Sequence, residues 1–319
     1  MEFTDDVKSY FINPNSSEFL VLEPLKKDLC PYDWLQANKQ SIEKNILKYG
    51  GLLLRNFNIN SVSEFNRFVQ ILCPTLLDYT YRSTPRTKLG GKIYTATEYP
   101  ADRSIPLHNE NSYTRLWPQK IIFFSAIVAS QGGETPIANS RKIYQKIDSS
   151  VKSKFEQNGV LYVRNYTNGI DLSWQEVFQT DAKNIVEAYC FENGINMQWG
   201  AGIPELTTQQ ICQATTTHPL TGEKVWFNQA HLFHSSVLDE PTYKTLLEEL
   251  GENNLPRNAF YGDGTPIEIE VLKHIQEIYQ QEKMVFKWQK GDLMILDNLL
   301  MAHGREPYVG DRKVVVAMS

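Results

Sequence analysis

The spacing of apolar positions near the N terminus alternates between helical and extended patterns. Residues 34–49 carry apolar side chains on one helical face and end at Gly50, which predicts an amphipathic helix. Residues 51–57 form a short apolar run that predicts a buried strand, and residues 61–73 predict a second helix that Pro74 ends. We therefore expect residues 1–75 to form a scaffold of helices and a strand.

From Lys92 onward the pattern favours strands. Residues 93–99 are rich in β-branched and aromatic residues, and residues 120–129 are a near-continuous apolar run that predicts a strand buried on both faces. Residues 131–136 predict a tight turn into another strand that ends near Asn139. Such a buried strand and hairpin fit a β-sandwich or jelly roll better than a parallel sheet. We predict a mainly β fold with peripheral helices.

The remaining chain mixes both kinds of element. We predict helices over residues 149–159, 174–193, 239–251 and 267–281, strands over residues 160–166, 195–199, 284–288 and 312–318, and a hairpin over residues 218–228. No linker rich in Pro, Ser or Gly divides the sequence. We therefore expect a single domain over residues 1–319, in which residues from about 140 to 285 form insert and lid elements.

Composition and charge narrow the function classes. The net charge is −5, the pI is near 5.8 and acidic and basic residues are interspersed, which argues against a nucleic-acid partner. No apolar run is long enough to cross a bilayer, and the acidic start lacks a secretory signal, so we expect a cytoplasmic protein without a membrane partner. The scattered cysteines favour buried thiols over disulfides or a zinc site: Cys30, Cys73, Cys190 and Cys212.

One histidine and one glutamate stand two positions apart and suggest a metal site. In an extended backbone, His108 and Glu110 would point to the same side and could reach one cation. A third ligand is available downstream, where an apolar run leads to His303. Together the three residues would form the facial triad that binds non-haem Fe(II). The His-x-Glu pair alone is weak evidence, because a hydrogen-bonded histidine beside a solvated glutamate gives the same pattern.

Several motifs follow one another in a fixed order along the chain. They are His-x-Glu at 108–110, Gly-Gly-x-Thr at 132–135, Gly-Asp-Leu-x-x-Leu-Asp-Asn at 291–298, Ala-His-Gly-Arg at 302–305 and Asp-Arg at 311–312. This order resembles the taurine dioxygenase and clavaminate synthase superfamily of Fe(II)/2-oxoglutarate oxygenases. Further motifs resemble its SyrP-like subgroup, typified by the aspartyl β-hydroxylase of syringomycin assembly: residues 94–100, 107–113, 133–138, 226–231 and 255–259. The resemblance, from about residue 52 onward, implies a distorted double-stranded β-helix, or jelly roll, with helices outside it.

The resemblance also assigns roles to individual residues. It implies that His108, Glu110 and His303 bind iron, and that Arg312 and Thr135 hold the distal carboxylate of 2-oxoglutarate. A planar guanidinium suits this role because it can donate two parallel hydrogen bonds to a carboxylate.

Two of these assignments have alternatives. Arg312 lies only nine positions after His303, closer than in several relatives, and Arg305 stays open as the cosubstrate anchor. A simple turn hydroxyl would also explain Thr135.

The resemblance further implies a reaction. An Fe(II)-dependent enzyme would consume 2-oxoglutarate and O2, hydroxylate an unactivated C–H bond, and release succinate and CO2. Glu110 favours hydroxylation, because family members that halogenate have a small residue at the carboxylate position; desaturation and epoxidation stay open as alternatives. The implied substrate is an amino acid, or an aminoacyl group tethered to a peptidyl carrier protein, in nonribosomal peptide biosynthesis; a free amino acid or another small carboxylate is the alternative. The candidate substrate contacts are Arg82, Glu98, Asn111, Tyr113 and Asn228.

Interpretations from other function classes remain open at this point. A β-sandwich binding protein without a metal would contain the same strands. A zinc hydrolase could use the same three ligands, although a compact His-Glu-x-x-His helix, which such enzymes usually carry, does not occur here. His231 and His234 could contribute to a second metal site, but pocket lining or packing is favoured, and the resemblance of residues 228–231 to the subgroup favours the pocket.

Overall fold

The computed structural model describes residues 3–14 and 17–319. The other four, Met1, Glu2, Asn15 and Ser16, fall within the predicted N-terminal scaffold and lie outside the described residues. The strands are β1 (Val7–Phe11), β2 (Leu20–Pro24), β3 (Gly51–Leu54), β4 (Lys88–Gly90), β5 (Ile93–Thr95), β6 (Ile105–His108), β7 (Lys120–Ile127), β8 (Gln131–Gly132), β9 (Ile137–Asn139), β10 (Val160–Tyr166), β11 (Asn196–Trp199), β12 (Leu206–Cys212), β13 (Thr215–Thr217), β14 (Lys224–Trp226), β15 (Arg257–Tyr261), β16 (Leu293–Asp297), β17 (Met301–Arg305), β18 (Tyr308–Val309) and β19 (Lys313–Met318).

The helices cluster in two regions of the sequence, before β4 and between β9 and β16. They are α1 (Pro31–Tyr49), α2 (Val62–Leu72), α3 (Ser140–Lys146), α4 (Ser149–Asn158), α5 (Trp174–Phe178), α6 (Lys183–Glu192), α7 (Ala230–Phe233), α8 (Glu240–Leu250) and α9 (Ile269–Glu282). No helix in the described ranges combines the length and the apolar character that a membrane span requires.

An eight-stranded sheet forms the larger wall of the fold, in the order β1-β2-β3-β16-β7-β19-β5-β4. Its neighbouring strands are antiparallel, except for the parallel pair β2 and β3. Strand β16 shows why its sequence is apolar throughout: Leu293 and Ile295 join the cluster under α1 and α2, and Met294 and Leu296 join the opposite cluster. Burial on both faces therefore removes the alternation of polar and apolar residues.

A three-stranded sheet, β6-β17-β9, lies over the second face of the large sheet. One hydrophobic cluster joins Ile137 and Met301 of the small sheet to Phe123 and Met294 of the large sheet. The ring of His303 also contacts the ring of Phe123, with centroids 5.1 Å apart. The predicted metal ligand therefore lies between two packed sheets, and the mainly β jelly-roll fold with outer helices is confirmed.

A further four-stranded sheet, β11-β12-β10-β15, forms within the region predicted as insert and lid elements. Its core includes Phe155, Tyr162 and Tyr261, and it reaches the small sheet through Leu107 and Ala302. The assignment of this region as an insert within a single domain stays a prediction.

One predicted strand is wrong. Residues 284–288 do not form a strand; they make one isolated bridge, in which Met284 and Ile137 exchange backbone hydrogen bonds. Phe286 and Trp288 pack into the core, and the carbonyl of Lys287 accepts a hydrogen bond from Arg55. The apolar pattern of this segment reflects side-chain burial without a continuous partner strand.

Candidate metal centre and its pocket

Two adjacent strands bring the two histidines together. His108 ends β6 and His303 lies in the middle of β17, and the two residues are direct partners in the antiparallel ladder. Their ring centroids lie 4.6 Å apart. The strands approach closely beside them, because a Cβ added to Gly304 would lie 2.5 Å from the carbonyl oxygen of Ile105. Glycine is therefore required next to His303 for the two imidazoles to meet.

Glu110 reaches the histidines by a different route from the one predicted. The strand ends at His108, and Glu110 lies in the turn that follows, so the extended alternation does not place it. The side chain of Asn298 fixes this turn: its Oδ1 accepts from the Glu110 N–H at 2.7 Å, and its Nδ2 donates to the Glu110 carbonyl at 2.9 Å. Asn298 is fully buried, and the sequence pattern did not identify this role.

The three side chains form a compact set of ligand atoms, one from each residue, within 4.8 Å of one another. Glu110 Oε2 lies 3.6 Å from His303 Nε2. Nδ1 of His108 lies 2.8 Å from the carbonyl oxygen of Pro106, and as the donor it would leave Nε2 free for a cation. In the part of the chain that the structure describes, no other three His, Cys, Asp or Glu residues group in this way.

The protonation states of His108 and Glu110 suit a divalent metal. Burial, together with the neighbouring His303, lowers the pKa of His108 to about 4. Burial alone would raise the pKa of Glu110, but Arg86, His303 and His108 together outweigh it and hold that pKa well below its usual range. Neutral imidazoles and an ionised carboxylate are the forms that bind metal ions. The buried Nδ1 of His303 has no hydrogen-bond partner in the described residues, so its imidazole carries one unsatisfied polar atom.

Sequence reasoning did not identify the closest charged neighbour of Glu110. Nη2 of Arg86 donates to Glu110 Oε2 at 2.7 Å, and each side chain is only 3% exposed. The guanidinium also lies over the ring of Tyr79, 4.5 Å from its centroid. Arg86 precedes β4 in an irregular segment, and no periodic pattern distinguishes it from other arginines.

A cavity adjoins the two histidines that are proposed as ligands. It is lined by Arg86, Ala96, Thr97, Ile105, His108, Phe123, Thr135, His303, Gly304, Arg305, Arg312 and Val314. The two histidines, Arg312 and Thr135, which lie far apart in the sequence, therefore line one space.

Arg312 and Thr135 form a polar pair in the cavity wall. Arg312 lies just before β19; its Nε donates to the carbonyl of Gly133 at 2.8 Å, and its Nη2 lies 3.4 Å from the hydroxyl of Thr135. The same hydroxyl oxygen accepts from Nε1 of Trp288 at 3.0 Å, a contact that sequence reasoning did not identify. Burial, helped by the nearby charge of Arg305, lowers the pKa of Arg312 to about 10, which keeps it a cation at neutral pH.

Arg305 lines the same cavity but is committed to the backbone. Its Nη1 and Nη2 donate to the carbonyl oxygens of Tyr99, Pro100 and Arg103. These bonds hold the segment between β5 and β6 against β17.

The five predicted substrate contacts lie outside the cavity lining. Arg82 donates to Gln179 at 2.8 Å, and Glu98 accepts from the hydroxyl of Thr95 at 2.8 Å. Their roles in substrate binding stay predictions.

The local structure of the other three candidates is also described, and their roles in substrate binding stay predictions as well. Asn111 follows Glu110 with a φ of 56°, a left-handed conformation that asparagine tolerates. The hydroxyl of Tyr113 donates to the carbonyl of Tyr81 at 2.9 Å. Nδ2 of the fully buried Asn228 donates to the carbonyl of Ala214 at 2.8 Å.

His231 and His234 have separate environments. Nε2 of His231 lies 3.1 Å from the carbonyl of Leu107, and its ring stacks on Tyr279 with centroids 4.6 Å apart. His234 contacts Ser236 and caps the following turn. Both residues make packing or capping contacts and lie outside the cavity lining, whereas the resemblance favoured the pocket.

Comparison with known proteins decides the family. Residues 24–318 match the sequence profile of the taurine catabolism dioxygenase TauD, TfdA family. The chain belongs to the TauD/TfdA family. The dapdiamide synthesis protein DdaC of Enterobacter agglomerans is 44% identical over 277 residues, which cover 87% of this chain and 84% of DdaC. A clavaminate synthase-like protein of Arabidopsis thaliana is 28% identical over 294 residues, which cover 89% of this chain and 86% of that protein.

Solved structures of TauD-like oxygenases share the fold of this TauD/TfdA protein. PvcB, described as an Fe, α-ketoglutarate dependent oxygenase from an isonitrile synthetic pathway, aligns with a TM-score of 0.56 at 14% identity, over 100% of this chain and 93% of PvcB. Membership of a dioxygenase family confirms the predicted oxygenase and decides against the metal-free binding protein and the zinc hydrolase.

Proposed function

We propose that this TauD/TfdA-family enzyme uses Fe(II), 2-oxoglutarate and O2 to hydroxylate an unactivated C–H bond of an amino acid or aminoacyl group in natural-product biosynthesis. One observation carries the proposal: His108 and His303, paired with Glu110, line the same cavity as the Arg312–Thr135 pair. A metal site and a carboxylate anchor are the two parts that such an enzyme needs, and the residues proposed for each line one cavity.

The proposed ligands fit the metal in type as well as in position. Two neutral imidazoles and one carboxylate form the donor set of non-haem Fe(II) oxygenases, which leaves coordination positions for other ligands. Iron and the 2-oxo acid, when bound, supply the activation of O2, and the 2-oxo acid ends as succinate and CO2. The chain contributes orientation: the ladder between β6 and β17 fixes the histidines, and Asn298 fixes the turn that carries Glu110.

Arg312 is the better candidate for the distal carboxylate of 2-oxoglutarate. A guanidinium has five N–H donors, and the bonds of Arg312 to Gly133 and Thr135 use only two of them. Arg305, by contrast, donates to three carbonyl oxygens. Because Trp288 and Arg312 both donate to the Thr135 oxygen, the hydroxyl hydrogen of Thr135 is available to a carboxylate.

The relatives support the biosynthetic setting. DdaC is named for dapdiamide synthesis, and PvcB belongs to an isonitrile synthetic pathway. We infer that the substrate is amino-acid-like; an aminoacyl thioester on a peptidyl carrier protein is the favoured form, and a free amino acid is the alternative.

A substrate panel tests the proposal. The purified chain, loaded with Fe(II), is incubated with 2-oxoglutarate and O2 and offered free amino acids and the matching carrier-protein thioesters. We expect succinate formation and a product heavier by one oxygen, detected by mass spectrometry. Oxidation of thioesters alone would identify a tailoring enzyme of peptide assembly, whereas oxidation of a free amino acid would identify a precursor-supplying hydroxylase.

Two histidine variants provide the controls. His108→Ala removes a proposed ligand and should abolish both succinate and oxidised product. His234→Ala removes a histidine whose ring contacts Ser236 and should leave both unchanged. Equal succinate formation by His108→Ala and the unsubstituted chain would contradict the metal assignment.

A further inference from the structure

Arg86 is a buried cation whose hydrogen-bonding capacity is largely unused. Of its donors, Nη2 bonds to Glu110, and Nη1 has only a weak contact, 3.9 Å from the sulfur of Met318. Its Nε is buried and has no partner among the described residues. Buried polar groups are normally hydrogen-bonded, so unused donors in a cavity wall point to a ligand that supplies the acceptors.

The charge of the cavity points to an anionic ligand. Its described lining contains Arg86, Arg305 and Arg312 and no acidic side chain, and Glu110 is the carboxylate paired with one of these arginines. A divalent cation on His108 and Glu110 would add two more positive charges near Arg86. Like charges in a buried site repel strongly, because the effective dielectric constant there is low. An anion at Arg86 would relieve that repulsion.

We propose that Arg86 binds the carboxylate of the 2-oxo acid that is adjacent to its keto group. This inference rests on the proposed use of a metal and a 2-oxo acid. The cavity then holds one dicarboxylate between two guanidinium groups, with its distal carboxylate at Arg312 and Thr135 and its other carboxylate at Arg86. Arg86 thereby couples the two binding events, because its charge weakens metal binding alone and strengthens binding of the anion.

Binding measurements without O2 test this coupling. The full chain and its Arg86→Met, Arg86→Lys and Arg312→Met variants are titrated with Fe(II) alone, and then, at saturating Fe(II), with 2-oxo acids. Binding of the 2-oxo acid is followed by the visible charge-transfer absorption of its Fe(II) chelate. The two probes are 2-oxoglutarate and 2-oxovalerate, which lacks the distal carboxylate.

The two arginines should respond differently to the probes. Arg86→Met should lower the affinity for both 2-oxo acids by a similar factor, about 10- to 100-fold, because each acid loses the same charged hydrogen bonds. Arg312→Met should lower the affinity for 2-oxoglutarate and leave the affinity for 2-oxovalerate unchanged. Fe(II) alone should bind Arg86→Met about tenfold more tightly than the unsubstituted chain, because a neighbouring positive charge is gone.

The direction of the change in Fe(II) affinity distinguishes this role of Arg86 from a structural one. If Arg86 only held Glu110 in place, Arg86→Met would weaken Fe(II) binding, and that result would overturn the proposal. If Arg86→Met binds both 2-oxo acids as tightly as the unsubstituted chain does, the proposal is overturned as well. This holds even if Arg86→Met then oxidises its substrate more slowly.

Arg86→Lys keeps the inference testable if the methionine variant does not fold. This variant retains the positive charge but not the planar guanidinium. Its affinity for Fe(II) should therefore match that of the unsubstituted chain, and its affinity for both 2-oxo acids should fall by the same factor. A chain with Arg86 intact that shows no charge-transfer absorption would contradict the proposed function. If the unsubstituted chain shows the absorption and the Arg86 variants bind the 2-oxo acids with unchanged affinity, only this inference is contradicted.

Discussion

At the scale of single residues, Asn298 shows how one amide can position a proposed metal ligand without lining the cavity. It bonds both backbone groups of Glu110 and also donates to the carbonyl of Pro118 at 2.9 Å. Asn298→Ala would leave these buried groups without partners, at a cost of about 1–3 kcal/mol for each. We expect the variant to unfold at lower temperature and to bind a divalent metal about 10- to 100-fold more weakly, as measured by Mn(II) titration.

Asn165→Ala is the matched control for this prediction. Asn165 is also buried, and its amide donates to the backbone carbonyls of Asn253 and Leu255, away from the cluster. Its removal should lower the unfolding temperature but leave Mn(II) affinity unchanged. Equal losses of Mn(II) affinity in the two variants would show that Asn298 acts only through overall stability.

The same residues show how far the sequence alone could identify the site. His108, Glu110 and His303 could be identified from the sequence because histidine and glutamate are common metal ligands. Arg86 and Asn298 act through contacts across the fold, and arginine and asparagine have many other uses in proteins. Asn298 stands inside a motif that carried the resemblance, but the atoms that it bonds depend on the turn after β6, which the spacing alone did not predict.

At the scale of secondary structure, the pairing of β6 with β17 determines the distance between the histidines. The register shifts between His303 and Arg305, and Gly304 lies at this irregularity with no room for a Cβ beside Ile105. Gly304→Ala should push the strands apart and separate the ligands. We expect metal affinity to fall at least tenfold, in a Mn(II) titration, because binding depends on the positions of both imidazoles.

Gly202→Ala controls for the general effect of replacing a glycine. A Cβ at Gly202 would meet no heavy atom within 4 Å, and the residue lies in an exposed loop between β11 and β12. Its Mn(II) affinity should equal that of the unsubstituted chain. If Gly304→Ala binds Mn(II) equally well, the strands tolerate the added methyl group and their close approach does not determine the site.

Prediction of the elements succeeded where burial dominates the local pattern. The strands at β7, β10 and β19 follow from their apolar runs, and α1 follows from its helical spacing and Gly50. Strand β12 was missed although its burial alternates, because Thr and Gln residues occupy many of its positions. At residues 284–288 a strand was predicted where none forms, because the apolar residues are buried but the backbone pairs only at Met284.

At the scale of the whole molecule, the site joins segments from distant parts of the chain. Glu110 and its neighbour His108 lie in the first half of the sequence, and His303 lies close to the end. His108 and His303 belong to the small sheet, and the ring of His303 contacts Phe123 of the large sheet. The three ligands therefore converge only in the folded chain, so a metal that needs all of them binds the folded state selectively.

Selective binding to the folded state predicts stabilisation by the metal and its cosubstrate. With Mn(II) and 2-oxoglutarate present at about 100 times their dissociation constants, mass action stabilises the fold by about 2.7 kcal/mol for each independent site. For a chain of this size, about 2.7 kcal/mol corresponds to a rise of roughly 4 °C in the unfolding temperature, and two occupied sites to roughly 8 °C, which thermal denaturation would measure. Chelation of the metal by EDTA should reverse the rise. His303→Ala should show no rise, whereas His234→Ala should retain it, because His234 lies outside the ligand cluster. A rise of the same size in His303→Ala would mean that the metal binds elsewhere on the chain.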